Sequence, residues 1–315
     1  MLKNTPETIQ DQKVIYVPAN PKKGFNVGYF LKWQCLDSNA PTNLFIEGNN
    51  GPVKNEYDLT KNITKNNLLY NVNFHDLVIR GLKNYVVLMP VFMRPFKILS
   101  NGKQISVDYR ALTSAAISSK DKTNKRVDLQ LLKMIEDTKN FFNNLNINIA
   151  KKVILVGFSD SANFAQRFAF LHPEIVNGVF IAGMNALAPI PTKEYKGEIL
   201  NFPLGINDYE KITGHAFNFK TYSNIIQYFL LGDKDENSIL PYEECITKKE
   251  RKIIEKIYGK DMQTELWNSM LEALKYYKLK NIKCHKLQDV GHYHPYQSIK
   301  PLKQEFLRDI KILEK

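Results

Sequence analysis

The chain has 315 residues, of which 43% are hydrophobic, and this length and composition exclude a disordered protein and allow a large hydrophobic core. Lysine and arginine outnumber aspartate and glutamate by 44 to 32, giving a net charge of +12. The basic residues are scattered among acids and asparagines, so we expect a solvated basic surface and no nucleic-acid site. Neither a signal peptide nor an apolar run of about 18 residues is visible, so the sequence predicts no membrane span and favours a cytoplasmic location.

The cysteines are odd in number and far apart in the sequence, at Cys35, Cys245 and Cys284. This spacing favours reduced thiols over a disulfide framework, and it does not match the ligand spacing of a metal site. We therefore expect no metal site at these residues, and we also expect no cofactor.

The first elements in chain order are predicted strands. Residues 13–17 and 28–33, separated by a turn-rich segment, are typical of an antiparallel ribbon at a sheet edge. Asn43–Ile46 is a short apolar strand that ends in the polar loop 47–51. The backbone N–H groups of such a loop can point at a ligand, although a plain turn is the alternative.

A helix starting near Asn73 and a strand over 85–88 come next, and a long irregular stretch occupies 96–126. Loops of this length are usually functional or mobile. Arg94 and Arg110 are therefore candidates for binding an acidic group of a substrate. The alternative is that they brace the loop through contacts with carbonyl groups.

An amphipathic helix over 128–145 leads to the central segment of the chain, KVILVGFSDSANFAQR, at 152–167. Its start, 153–156, is short, apolar and mostly β-branched, which predicts a buried strand of a parallel sheet. A helix follows at once. Between them Ser159 lies in a G-x-S-x-small pattern, which suits a sharp strand-to-helix turn because such a turn requires small residues two positions before and after the serine. A helix N-cap is the alternative role for this serine.

This strand-turn-helix segment resembles the nucleophile elbow of the α/β-hydrolases, and the order of the later elements strengthens the resemblance. A buried strand over 178–182 continues the alternation of strands and helices, which predicts a parallel sheet. The next strand, 225–231, ends in an acidic loop whose G-x-x-D spacing resembles the acid loop of that family. The spacing selects Asp235, with Asp233 and Glu236 as alternatives.

The last predicted strand, Ile282–Leu287, is followed by a Gly-His pair that resembles the catalytic-histidine loop of the family. His292 is the candidate, and His294 is the alternative. The resemblance spans nearly the whole chain and implies an α/β-hydrolase fold, with a mostly parallel central sheet and helices on both faces. It also implies one domain over 1–315 and a catalytic triad of Ser159, Asp235 and His292.

The resemblance further implies an oxyanion hole for a tetrahedral intermediate. One donor would be the backbone N–H of Asp160, at the start of the helix after the serine. The other would come from Asn49 or Asn50, in a loop where glutamate and asparagine replace the His-Gly common in the family. The carboxylate of Asp160 beside the nucleophile predicts discrimination against anionic substrates.

The segment 184–224 interrupts the alternation of strands and helices and is too long for a simple connection. In this fold an excursion at that place resembles a lid or a substrate-binding insertion. Tyr195 and Tyr209 are candidates for lining its pocket, while a small core within the insertion is the alternative.

The function that these features imply is that of a serine hydrolase that cleaves a small-molecule carboxylic ester through an acyl-enzyme. The layout is similar to that of esterases of the polyhydroxyalkanoate-depolymerase and feruloyl-esterase type. A peptidase of the prolyl-oligopeptidase type and a catalytically inactive hydrolase-fold binding protein are the alternatives.

Overall fold

The computed structural model describes residues 13–34, 36–48, 74–94, 96–98, 104–237, 246–259 and 264–312. The strands are β1 (Lys13–Val17), β2 (Tyr29–Gln34), β3 (Asn43–Ile46), β4 (Tyr85–Pro90), β5 (Phe96–Ile98), β6 (Gln104–Ser106), β7 (Val153–Phe158), β8 (Val176–Ala182), β9 (Glu194–Tyr195), β10 (Glu198–Ile199), β11 (Ile226–Gly232) and β12 (Ile282–Leu287). The α-helices are α1 (Phe74–Ile79), α2 (Ser114–Ser118), α3 (Val127–Asn143), α4 (Asp160–Leu171), α5 (Tyr209–Thr213), α6 (Phe219–Tyr222), α7 (Lys248–Tyr258), α8 (Thr264–Tyr276) and α9 (Tyr296–Asp309). Within these residues, no helix is long and apolar enough to cross a membrane.

Eight strands of the described residues form the central sheet, in the order β1-β2-β4-β3-β7-β8-β11-β12. Strand β2 is antiparallel to both of its neighbours. The remaining neighbouring pairs are parallel. The mostly parallel sheet and the antiparallel ribbon at its edge are therefore as predicted.

Helices cover both faces of the sheet, so its central strands are buried on both sides. Val153 and Leu155 of β7 join one hydrophobic cluster, to which α3, α4, α7 and α8 contribute. Ile154 and Val156 point the other way and join a second cluster with α1 and α9. This alternation follows from the two-residue period of a strand. Strand β7 continues two residues beyond the predicted end at Val156, because Gly157 and Phe158 still pair with β8.

The parallel strands end at one edge of the sheet, and three of them lead directly to candidate site residues. Ser159 follows β7, Asp235 lies three residues after β11, and His292 lies five residues after β12. Sheets of this kind place their ligand sites at this edge.

The segment 184–224 begins at the edge where the strands end, and there Asn185 accepts a hydrogen bond from Asn163 in α4 at 2.6 Å. Its later part lies elsewhere. The Tyr209 hydroxyl donates to the carbonyl of Leu171, the last residue of α4, at 2.9 Å. Helix α4 runs back from the serine, so Leu171 lies near the opposite edge, just before β8 begins. The predicted lid is therefore compatible only with the first part of this segment. The assignment of residues 1–315 to one domain stays a prediction.

A buried ion-pair cluster joins the start of α3 to the end of α4. Asp128, with no exposed surface, accepts hydrogen bonds from Arg126 Nε and Nη2 at 2.9 and 2.8 Å and from His172 Nε2 at 3.0 Å. Burial alone would raise the pKa of Asp128, but the hydrogen bonds from Arg126 and His172 outweigh it and lower that pKa to about 2.

We predict that Asp128→Ala lowers the free energy of unfolding by about 1–3 kcal/mol at pH 7, because Arg126 and the buried His172 ring lose their common hydrogen-bond acceptor. A carboxylate whose pKa falls on folding stabilises the native state above its unfolded value of 3.8, and that stabilisation is lost as the pH falls towards about 2. The variant should lack this part of the acid dependence. Urea unfolding between pH 2 and 7 measures both effects.

The matched control is Glu136→Ala, which removes an exposed partner of Lys133 in the same helix. An exposed pair contributes about 0.2–1 kcal/mol. Equal losses in the two variants would contradict the stabilising role of the Asp128 cluster.

Candidate active site

Ser159 lies in a strained turn between β7 and α4, with φ 59° and ψ −123°. Positive φ is unfavourable for a residue other than glycine, so the surrounding structure has to enforce it. The Ser159 N–H donates to the Ala182 carbonyl of β8 at 3.2 Å. Ser161 Oγ accepts from the Phe158 N–H at 2.8 Å and donates to the Phe158 carbonyl at 2.9 Å. A Cβ at Gly157 would lie 2.4 Å from the Ser161 carbonyl oxygen, which explains the small residue before the serine.

The three side chains selected from the sequence form a continuous hydrogen-bonded chain. Ser159 Oγ lies 3.0 Å from His292 Nε2. On the other side of the ring, His292 Nδ1 lies 3.1 and 3.0 Å from the two carboxylate oxygens of Asp235. The Asp235 side chain is 2% exposed and that of His292 is 27% exposed. The buried carboxylate favours the tautomer with the proton on Nδ1, which makes Nε2 the acceptor for the serine proton.

The loops that carry the acid and the histidine are joined through Val290. The Lys234 N–H donates to the Val290 carbonyl at 2.9 Å, and the Val290 N–H donates to Asp233 Oδ1 at 3.2 Å. The approach is so close that a Cβ at Gly232 would lie 2.0 Å from the Val290 oxygen. Asp233 therefore connects the two loops, and the carboxylate that faces His292 is that of Asp235.

The alternative histidine lies in an aromatic contact instead of facing the serine. The His294 ring packs edge-on against Phe158, with the ring centroids 4.7 Å apart, and lies 5.7 Å from the Phe74 ring. The Phe158 ring also lies 4.7 Å from that of His292. It thus separates the two histidines and supports the one that contacts Ser159.

Comparison with solved structures identifies the architecture. Poly(aspartic acid) hydrolase-1 from Sphingomonas sp. KT-1 superposes with a TM-score of 0.55 at 12% identity, over 95% of this chain and 99% of that one. The chain has the α/β-hydrolase fold. An S-formylglutathione hydrolase from Agrobacterium tumefaciens matches with a TM-score of 0.49 at 11% identity, over 96% of this chain and 95% of that one. A ferulic acid esterase matches with the same TM-score at 12% identity, over 96% of this chain and 100% of that one. No protein-family model and no curated protein sequence matches the chain.

Beside the elbow of this α/β-hydrolase fold, the Asp160 carboxylate is part of a buried ion-pair network. Asp160 Oδ2 accepts from Arg110 Nη2 at 2.9 Å. Arg110 also binds Asp108 through Nε at 3.1 Å and Nη2 at 2.8 Å, and Arg94 Nε lies 3.5 Å from Asp108. Burial, followed by the charge of Asp108, raises the pKa of Asp160 against the lowering effect of the arginines. The arginines therefore brace the loop, with carboxylates as partners instead of the carbonyls considered from the sequence.

This pairing bears on two expectations from the sequence. Arg110 is 2% exposed and already engaged with two carboxylates, so a substrate-binding role is not proposed for it. The Asp160 charge is matched by an arginine, which weakens the argument that it repels anionic substrates. The backbone N–H of Asp160 belongs to the first residue of α4, where the helix offers no internal acceptor.

The loop after β3 begins against the elbow, where a Cβ at Gly48 would lie 3.6 Å from the Ser161 Cβ. Asn49 and Asn50 lie outside the described residues. Glu47, 4% exposed, accepts from the His75 backbone N–H at 2.8 Å, and its Oε2 lies 2.5 Å from His75 Nδ1. This contact anchors the start of the loop to α1.

The structure does not bring the two candidate tyrosines to the serine. Tyr209 is 1% exposed and bonds the far end of α4, whose 12 residues extend over about 18 Å. The Tyr195 ring lies 5.9 Å from that of Tyr277, which precedes β12 and lies near the edge where the parallel strands begin. Both tyrosines belong to the packing of that edge, so the proposed pocket lining is corrected.

Asn237 is the side chain beside the histidine that the sequence did not reveal. Its Nδ2 lies 2.8 Å from His292 Nε2, and its backbone N–H donates to Asp235 Oδ1 at 3.0 Å. An aspartate side chain that accepts a hydrogen bond from the N–H two residues later forms an Asx-turn. The available signal was therefore the D-x-N spacing, which by itself is common in loops.

We predict that Arg110→Met lowers the free energy of unfolding by about 3–5 kcal/mol, because Asp108 and Asp160 lose their common buried cation. The deficit should shrink at acid pH, since a protonated carboxyl group needs no counter-charge. Denaturant unfolding at pH 7 and pH 4 measures it. Arg308→Met, at an exposed position of α9, is the control and should change stability by less than about 0.5 kcal/mol.

Proposed function

We propose that the protein is a serine hydrolase that cleaves carboxylic esters through an acyl-enzyme. The observation that carries this proposal is the 3.0 Å contact between Ser159 Oγ and His292 Nε2, with Asp235 bound to the other nitrogen of the same ring. A serine hydroxyl is a weak nucleophile at neutral pH, and it becomes effective when a neighbouring base accepts its proton during attack.

Acylation would begin with attack of Ser159 Oγ on the ester carbonyl carbon while the serine proton passes to His292 Nε2. The Asp235 carboxylate holds the ring in the required tautomer and stabilises the imidazolium that forms. As the tetrahedral intermediate collapses, the bond to the alcohol oxygen breaks and the proton on Nε2 passes to that oxygen. The alcohol leaves and the acyl group stays on the serine.

Deacylation would repeat these steps with water in place of the alcohol. Water loses a proton to His292 Nε2 as its oxygen attacks the acyl carbon, and the proton then returns to Ser159 Oγ as the acid is released. In both halves the carbonyl oxygen becomes an oxyanion. The N–H of Asp160, at the positive end of the α4 dipole, is the proposed donor to it, and the predicted second donor is Asn49 or Asn50.

Esters are the proposed substrate class because an alcohol leaves a tetrahedral intermediate with less assistance than an amine does. The proposed partner is a small-molecule ester. A peptidase of the prolyl-oligopeptidase type is the second candidate, since the same three residues can cleave an amide. Hydrolysis of a peptide amide at a rate comparable to that of the matching ester would favour it.

Labelling with a fluorophosphonate probe tests the nucleophile directly. We expect the wild type to become labelled and Ser159→Ala to stay unlabelled. A wild type that resists the probe and hydrolyses no ester would instead support an inactive hydrolase-fold binding protein.

We predict that Ser159→Ala and His292→Ala each reduce ester hydrolysis on the order of 10⁴-fold or more, by similar amounts, because the two residues act as a unit. Asp235→Asn should cost somewhat less. Asp233→Asn is the matched control, since its side-chain oxygen still accepts from Val290. Full activity of Asp235→Asn together with loss of activity in Asp233→Asn would show that the acid is assigned incorrectly.

A further inference from the structure

Among the described residues, two polar side-chain atoms lie within hydrogen-bond distance of His292 Nε2. Ser159 Oγ lies at 3.0 Å and Asn237 Nδ2 at 2.8 Å. With the ring proton on Nδ1 facing Asp235, Nε2 carries a single lone pair, and an amide NH₂ group beside it donates. The acceptor that the serine requires is thus shared with a second donor.

The position of Asn237 is fixed by the same carboxylate that orients the ring. The Asn237 backbone N–H donates to Asp235 Oδ1 at 3.0 Å, and Asp235 also binds His292 Nδ1. Asp235, His292 and Asn237 therefore form a closed cycle of three hydrogen bonds. A movement of the loop that carries Asp235 and Asn237 would change the lengths of these bonds together.

We propose that Asn237 donates a hydrogen bond to the leaving-group oxygen of the substrate, an inference that rests on the proposed ester hydrolysis. To receive the proton, the alcohol oxygen must come within about 3 Å of His292 Nε2. Asn237 Nδ2 lies at such a distance from the same nitrogen. An oxygen that arrives for protonation on the Asn237 side of the ring is therefore within reach of the amide as a second donor.

The protonation change during the reaction directs the amide towards that oxygen. Once the Ser159 proton has moved to Nε2, the lone pair is gone, and the Asn237 N–H faces the N–H of an imidazolium. The departing oxygen gains negative charge as its bond to carbon breaks, and it is the acceptor created at that moment. The amide gives up no proton, because the proton that the oxygen receives comes from His292.

Such a contact strengthens between the ground state and the transition state, which is the condition for an interaction to accelerate a reaction. The rate increase that this contact provides depends on the leaving group. An alkoxide concentrates its charge on one oxygen and needs the donor. A 4-nitrophenolate spreads its charge over the ring and leaves without it.

The test compares the ethyl ester and the 4-nitrophenyl ester of one acyl group, so that deacylation is common to both and kcat/KM reports acylation. For Asn237→Ala we expect kcat/KM to fall on the order of 10²-fold with the ethyl ester and less than about 3-fold with the nitrophenyl ester. Asn237→Leu, similar in size but without a donor, should behave alike. Lys234→Ala, an exposed change in the same loop, should leave both values unchanged.

Equal losses with the two esters would overturn the proposal and make Asn237 a brace of the loop. A faster reaction would also overturn it, because the amide would then be a competitor for the lone pair. Ser159→Ala, assayed alongside, separates this failure from that of the proposed function. If Ser159→Ala retains wild-type activity, or the wild type cleaves neither ester, both proposals fail. If Ser159→Ala is inactive while Asn237→Ala shows equal losses, only the leaving-group contact fails.

Discussion

The strained, positive-φ backbone conformation of Ser159 is the constraint on which the rest of the site depends. A non-glycine residue in such a conformation costs on the order of 1–3 kcal/mol, and it persists only where neighbouring structure enforces it. Here a carbonyl group of β8 accepts a hydrogen bond from the Ser159 N–H, and the Ser161 hydroxyl bonds both the N–H and the carbonyl of Phe158. The absence of a side chain at Gly157 leaves room for the first turn of the helix. The consequence is that the hydroxyl stands at the end of a buried strand, within reach of groups carried by other strands.

The buried charges around this turn occur with partners. Asp160 meets Arg110, and Glu47 meets His75. Because a buried charge without a partner is strongly destabilising, these pairs let the turn and the neighbouring loop keep polar groups out of water. The same principle applies to the acid of the candidate triad, whose nearly buried carboxylate faces the histidine ring. These paired polar groups around the serine therefore also stabilise the turn and the loops that they join.

Local sequence patterns predicted the sheet well, because strands such as β3 and β7 are buried on both faces and their apolar runs are unambiguous. They also selected Ser159, Asp235 and His292, since each follows a strand within a short motif. Interactions between distant segments left no such pattern. The contact of Arg110 with Asp160 spans 50 residues, and the packing of Tyr209 on the far end of α4 depends on how an irregular segment crosses the molecule.

The histidine follows an edge strand, and this position affects when the site forms during folding. Ser159 and His292 are 133 residues apart in sequence, and in the described part of the chain β12 ends the strand order and pairs with β11. Contacts of such long sequence separation are slow to form, because closing a long loop costs conformational entropy before the contact stabilises it. In the proposed triad, Ser159 therefore lacks its base until the edge strand docks. The reactivity of the Ser159 hydroxyl, followed over time during refolding, would therefore report when the sheet is complete.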